Sequence, residues 1–81
     1  MTIKQMKREA IKRGLWLEEY KGGYLLSEIK TNTLVIPINY EGCTLETCWD
    51  YMKGIDPEPV TDEEADHAIE RHREWLAKRA D

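Results

Sequence analysis

Two cysteines and two histidines are the side chains of this sequence best suited to bind a metal ion or to act in catalysis. Cys43 and Cys48 have the spacing C-x4-C, and His67 and His72 follow as H-x4-H, which superficially resembles a zinc-finger ligand set. The 18 residues between Cys48 and His67 include Asp-Pro-Glu-Pro and exceed the usual finger spacer. Both cysteines lie at or inside a short apolar helix. We therefore expect small buried thiols, with no metal and no cofactor.

Catalysis has little support elsewhere in the chain. There is no glycine-rich phosphate loop, and no serine or cysteine nucleophile stands beside a histidine. The acidic run Asp62-Glu63-Glu64 opens a helix, where carboxylates stabilise the helix dipole. His67 and His72 are about 140° apart around that helix and do not share a face. The sequence therefore predicts a protein that is not an enzyme.

The charge is unevenly spread along the 81 residues, whose net charge is −4. Residues 1–14 carry five cations against Glu9, whereas the remainder of the chain is acidic. Phosphate contact needs clustered lysine or arginine, so the nucleic-acid-binding alternative depends on Lys4, Lys7, Arg8, Lys12 and Arg13. No apolar run reaches the roughly 18 residues of a membrane span, and no signal-peptide core is present. We expect a cytoplasmic protein with no membrane contact.

The pattern of apolar residues predicts an α+β fold, a three-stranded antiparallel meander with helices in the order α-β-β-β-α-α. An amphipathic first helix ends at Gly14, residues 15–38 form the meander, and a short helix follows Thr44. One face of that short helix carries Leu45, Cys48, Trp49 and Met52. Two prolines stiffen residues 56–60, and Thr61-x-x-Glu64 predicts a capped helix. The apolar stripe of this last helix is Ala65, Ala68, Ile69, His72, Trp75 and Leu76. We divide the chain into an α-β-β-β-α core over residues 1–55, a connector over 56–60 and a C-terminal capped helix over 61–81.

The hairpin register determines which side chains share a sheet face. A three-residue loop, Lys21-Gly22-Gly23, would pair Tyr20 with Tyr24. A four-residue turn over 30–33 would then align Ile29 with Leu34, Ser27 with Ile36 and Leu25 with Ile38. The predicted core face is then Leu15, Leu17, Leu25, Ile29, Leu34, Ile36 and Ile38. The predicted opposite face, which also includes Val35, holds the partner-binding candidates, namely Trp16, Glu18, Tyr20, Tyr24, Leu26 and Glu28. Either the last helix or a partner would cover these aromatic side chains.

Residues 3–55 resemble the HicA-type toxin domain, a small α-β-β-β-α fold similar to double-stranded-RNA-binding domains. The matching pieces are a basic first helix, Gly14 before Trp16, a Lys-Gly-Gly turn, a strand ending Val-Ile-Pro and a helix entered through Thr-Leu. In that family the turn carries an RNA-cutting histidine within a Lys-Gly-Ser-His pattern. Tyr24 stands at the histidine position here, and Gly23 at the serine position. The resemblance therefore implies the fold and, as an alternative, a degenerate ribonuclease-like domain that binds RNA or DNA.

The first functional hypothesis is a small non-enzymatic interaction protein that binds a bacterial host protein or defence complex and modulates or inhibits it. Residues 15–26 are similar to hairpins of small phage and prophage proteins, which favours a phage- or mobile-element-encoded protein acting in the host cytoplasm. Tryptophan and tyrosine are enriched in interface hot spots, and the hairpin supplies three of them. A third interpretation stays open, namely an α+β domain whose last helix either covers the outer sheet face or forms a homodimer.

Overall fold

The computed structural model describes residues 2–37 and 42–79, which form three helices and one sheet. The strands lie in the order β1-β2-β3, and both neighbouring pairs are antiparallel. This α+β fold with its α-β-β-β-α-α order confirms the predicted fold class. In chain order the elements are α1 (Ile3–Lys12), β1 (Leu15–Tyr20), β2 (Gly23–Glu28), β3 (Thr33–Ile36), α2 (Leu45–Met52) and α3 (Asp62–Arg79).

The helix ends follow from short-range capping signals. Thr61 caps α3, since its hydroxyl accepts the Glu64 N–H at 3.2 Å, and Thr44 caps α2 through the N–H of Thr47. Helix α1 has a reciprocal capping box, which the sequence reasoning missed although the T-x-x-Q pattern is present: Gln5 donates its N–H to Thr2 and accepts the Thr2 N–H. Gly14 follows α1 with φ of +75°, as expected for a left-handed helix end.

The predicted hairpin register is wrong by one residue. Tyr20 pairs with Gly23, and the loop contains only Lys21 and Gly22, with φ of +50° and +78°. Two-residue loops of this kind need positive φ at both central positions, and Lys21 adopts it although it is not glycine. Gly23 has a different role, because a Cβ there would lie 2.7 Å from the backbone carbon of Gly42.

The shifted register exchanges the faces of β2 side chains. Leu17 pairs with Leu26, so Leu26 and Tyr24 lie on the core face, whereas Leu25 pairs with Glu18 on the outer face. The second turn also differs, because Ser27 pairs with Leu34 and Leu26 with Ile36 across a bulge in place of the expected Ile29–Leu34 and Ser27–Ile36 pairs. The predicted pairing that involves Ile38 lies outside the described residues.

The core lies between one sheet face and helices α1 and α2. Leu26, Cys48, Met52 and Ala10 are fully buried there, and Leu17 is 1% exposed. Tyr24, Val35, Ile36, Leu45 and Trp49 pack against this cluster as partly buried side chains. Helix α2 therefore buries the face that its apolar spacing predicts.

Helix α3 packs on α1 in the antiparallel direction. Ala65 and Ile69 are its buried residues, and the acids of its first turns meet basic residues of α1. The connector is tied to the core by the Glu58 N–H, which donates to the Lys12 carbonyl at 2.9 Å. Within the part of the chain that the structure describes, no helix is both long and apolar enough to cross a membrane.

Candidate functional site

The six hairpin candidates do not form one surface. Trp16, Glu18 and Tyr20 lie on the outer face of the sheet, and Tyr24 and Leu26 lie on the core face with Glu28. Leu26 is fully buried, and Tyr24 is partly buried against the core. The prediction that all six share one outward binding face is therefore wrong, because the hairpin register is shifted by one residue.

Trp16 is covered by the last helix rather than left for a partner. Its indole is only 8% exposed, and its ring centroid lies 4.5 Å from that of His72 on α3. The indole N–H donates to a carboxylate oxygen of Glu18 at 2.6 Å, which satisfies this donor at the edge of the contact. Tyr20, at the far end of β1, stays 38% exposed beside the Lys21 ammonium, 5.3 Å from its ring.

The basic residues of α1 are largely engaged within the fold. Arg8 donates two hydrogen bonds to Asp66, both 2.9 Å long, and Lys12 donates to Asp62 at 2.9 Å. The hydrogen bond from Arg8 lowers the pKa of Asp66 below its ordinary value, and the hydrogen bond from Lys12 does the same for Asp62. Arg8 and Lys12 are therefore already neutralised by α3.

Arg13 is a structural side chain. Only 6% of it is exposed, and it donates to the Ile55 carbonyl and to the carboxylate of Glu9, each at 2.9 Å. Its guanidinium also lies 5.4 Å from the ring of Trp49, so it joins α1 to α2. The remaining predicted cations, Lys4 and Lys7, line a depression together with Asp66, Glu70 and Arg73. The structure does not bring the five cations together as one open phosphate-binding patch.

The cysteine and histidine pairs lie in different environments. The sulfur atoms of Cys43 and Cys48 are 3.5 Å apart, and burial, followed by the Cys43 contact, raises the pKa of the Cys48 thiol to about 12. His72 packs between Trp16 and Trp75, whereas His67 is exposed. Over residues 2–37 and 42–79, no three histidine, cysteine or acidic side chains are grouped to hold a metal ion.

A groove of about 460 Å³ opens between the end of α1, the start of the second turn and residues 68–75 of α3. It is lined by Ile11, Ile29, Ala68, Arg71, His72 and Trp75. We call this cleft the Trp75 groove. Ile29 is held there by its N–H, which donates to the Gly14 carbonyl at 3.1 Å.

Trp75 is the most accessible aromatic side chain of this groove. Its indole is 40% exposed, and it stacks on His72 with the ring centroids 5.2 Å apart. The Arg79 guanidinium lies 4.7 Å from the centre of the indole ring. Trp16, His72, Trp75 and Arg79 therefore form a continuous series of contacts from a buried side chain to exposed ones, with an interplanar angle of 55° between Trp16 and His72 and of 24° between His72 and Trp75.

The sequence reasoning missed Trp75 as a site residue. Trp75 belongs to the predicted apolar stripe of α3, and a residue on such a stripe is expected to be buried. The signal for its exposure was the spacing of nearby cations. Arg71 lies four positions before Trp75, and Lys78 and Arg79 lie three and four positions after it, so all three are its neighbours on the helix surface. An apolar residue enclosed by cations on one helix face is poorly suited to a core.

The chain was compared with protein-family models, with curated proteins and with solved structures. None of the three comparisons finds a match. The function has therefore to be inferred from the geometry of this molecule.

Proposed function

We propose that this protein is a small non-enzymatic interaction module that binds a bacterial host protein and modulates or blocks it through the Trp75 groove. The observation that carries the proposal is the exposed indole of Trp75 beside an open groove with an apolar floor. Tryptophan and arginine are the residues most enriched among interface hot spots, and both are present here.

The contacts of Trp75 with its neighbours support the same conclusion. An interface anchor binds best when its rotamer is fixed before the partner arrives, because less conformational entropy is then lost on binding. Contact with both His72 and Arg79 limits the freedom of the indole. His72 in turn rests on the buried Trp16, so a rigid element supports the anchor.

Nucleic acid is the weaker alternative on the same grounds. Arg8, Lys12 and Arg13 are bound to carboxylates of the same chain, and phosphate binding would have to break those bonds. The sequence as a whole is also acidic. No specific feature of the described residues favours a phosphate track along α1.

The proposal is tested by capture of partners from a bacterial lysate with the tagged protein, before and after nuclease treatment. We expect a protein partner that survives nuclease and is lost with Trp75→Ala. Tyr51→Ala is the matched control, since Tyr51 is an equally exposed aromatic (42%) on α2 outside the groove.

A partner set retained by Trp75→Ala would contradict the proposed site, and a set that disappears on nuclease treatment would contradict the class of partner. Far-ultraviolet circular dichroism and the melting temperature of each variant establish that the fold is intact. A binding loss counts only for a variant that melts near the wild-type temperature.

A further inference from the structure

The floor of the Trp75 groove is suited to an apolar side chain. Ile11, Ile29 and Ala68 offer hydrocarbon, and the indole of Trp75 forms one wall. A large aliphatic or aromatic side chain would remove this surface from water, which favours binding.

The rim of the groove is positively charged. Arg71 lines it directly, the Arg79 guanidinium lies over the ring of Trp75, and Lys78 lies one helical turn beyond Trp75. Residues 71–79 contain four cations and one carboxylate, Glu74. Among the described residues, none of these four cations forms an ion pair within 4 Å.

The combination of an apolar floor and a basic rim discriminates between kinds of ligand. A nucleic-acid strand would leave the hydrocarbon floor without a matching group except by base stacking. An acidic polypeptide supplies both the apolar side chain and the opposite charges, and charge complementarity sets register and speeds encounter.

We infer that the Trp75 groove binds an acidic segment of the partner protein, with one large apolar side chain inserted over Ile11, Ile29 and Ala68 and flanking carboxylates paired with Arg71, Lys78 and Arg79. This inference rests on the proposed function and specifies the chemistry of its partner. The apolar side chain provides affinity, and the carboxylates select and orient the segment.

Selection from a displayed library of random peptides of about 12 residues tests this chemistry without a known partner. We expect the wild-type protein to enrich peptides of net negative charge with one central large apolar residue. Trp75→Ala should bind the enriched peptides about 30-fold or more weakly, as for a hot-spot residue. The double variant Arg71→Glu with Arg79→Glu should reject them and enrich basic peptides instead. Tyr51→Ala should behave like the wild type.

Several outcomes would overturn the inference. Enrichment of neutral or basic peptides, or no enrichment, would show that the groove does not take an acidic linear segment, while lysate capture would still decide the proposed function. Tighter binding of a single-stranded oligonucleotide, lost in the charge-reversed variant, would assign the groove to nucleic acid. A concentration-dependent dimer in sedimentation that Trp75→Ala abolishes would assign it to a second copy of the chain.

Discussion

The two halves of α3 differ in almost every physical respect although they form one uninterrupted helix. Residues 62–70 contain five carboxylates and no lysine or arginine, whereas residues 71–79 contain four of these cations and one carboxylate. The first half binds α1 through Arg8–Asp66 and Lys12–Asp62 and buries Ala65 and Ile69. The second half presents Trp75 and its cations to solvent.

This difference separates the part of the helix that the fold uses from the part that it leaves available. Acids at a helix start and bases at its end both complement the helix dipole, so the charge gradient alone has a local explanation. The dipole does not explain why a tryptophan stays exposed among the cations. Hydrocarbon that does not contribute to the core is the surface a binding partner can use.

The largest expected effect on stability comes from replacing a buried side chain of the first half, Ile69, and it is compared with the replacement of an exposed one of the second half, Trp75. Ile69→Ala should lower the free energy of unfolding by about 2–4 kcal/mol, because it leaves a cavity between α3 and α1. Trp75→Ala removes a larger side chain but should cost about 1 kcal/mol or less. Urea denaturation measures both values, with Ile69→Val as a milder core control. Equal losses of unfolding free energy in the two alanine variants would contradict the view that only the first half of α3 is used by the fold.

A smaller effect should come from the ion pairs of the first half. Arg8 lowers the pKa of Asp66 in the folded state, so the ionised carboxylate stabilises the fold above the ordinary pKa of 3.8, and this contribution is lost as the pH falls through the lower folded value. Asp66→Asn should therefore melt at a lower temperature at neutral pH and show a flatter decline on acidification from about pH 5 to 2.

The control for this measurement is Glu74→Gln, which neutralises an exposed carboxylate of the same helix away from its first turn. Its acid profile should stay closer to that of the wild type than the profile of Asp66→Asn does. Parallel acid profiles for Asp66→Asn and the wild type would show that the Arg8 contact contributes nothing to the folded state.

The smallest effect should arise where the two halves meet, at His72. Burial against Trp16 lowers the pKa of this imidazole from its ordinary 6.5, and the nearby Glu18 opposes that shift. The unfolded chain then binds the proton more readily, so stability should fall as the pH decreases from about 7 to 5. His72→Phe keeps the aromatic contact and should remove most of that slope.

Thermal melts at several pH values measure the His72 effect, and His67→Gln provides a control at the exposed histidine of the same helix. A steeper slope in His72→Phe than in the wild type would reverse the sign of the argument. A loss of slope in His67→Gln would assign the titration to the other histidine.

The helix ends and the fold class could be predicted because their signals are local. Thr44 and Thr61 cap within three residues of themselves, Gly14 takes the left-handed conformation, and the apolar spacing of α2 marks its buried face. Trp16 and Tyr20 were also placed correctly on the outer sheet face. Each of these features depends on contacts between residues close in sequence.

The hairpin register could not be predicted because distant backbone decides it. Gly23 is required where Gly42 approaches, and Tyr24 exchanges two backbone hydrogen bonds with Cys43, of 2.8 and 2.9 Å. The loop therefore has to close over Lys21 and Gly22 alone, which moves Tyr24 and Leu26 to the core face. The turn residues alone do not reveal the contact of Gly23 and Tyr24 with the distant backbone of Gly42 and Cys43.

The sequence by itself thus determined the elements, their order and the opposite charges of the two halves of α3. Only the tertiary structure decided which charges and aromatic side chains remain available for binding. Packing α3 against α1 engages Arg8 and Lys12 with aspartates and covers Trp16 with His72. The same packing leaves Trp75 at the edge of a groove, because the exposure of a side chain depends on which distant elements reach it.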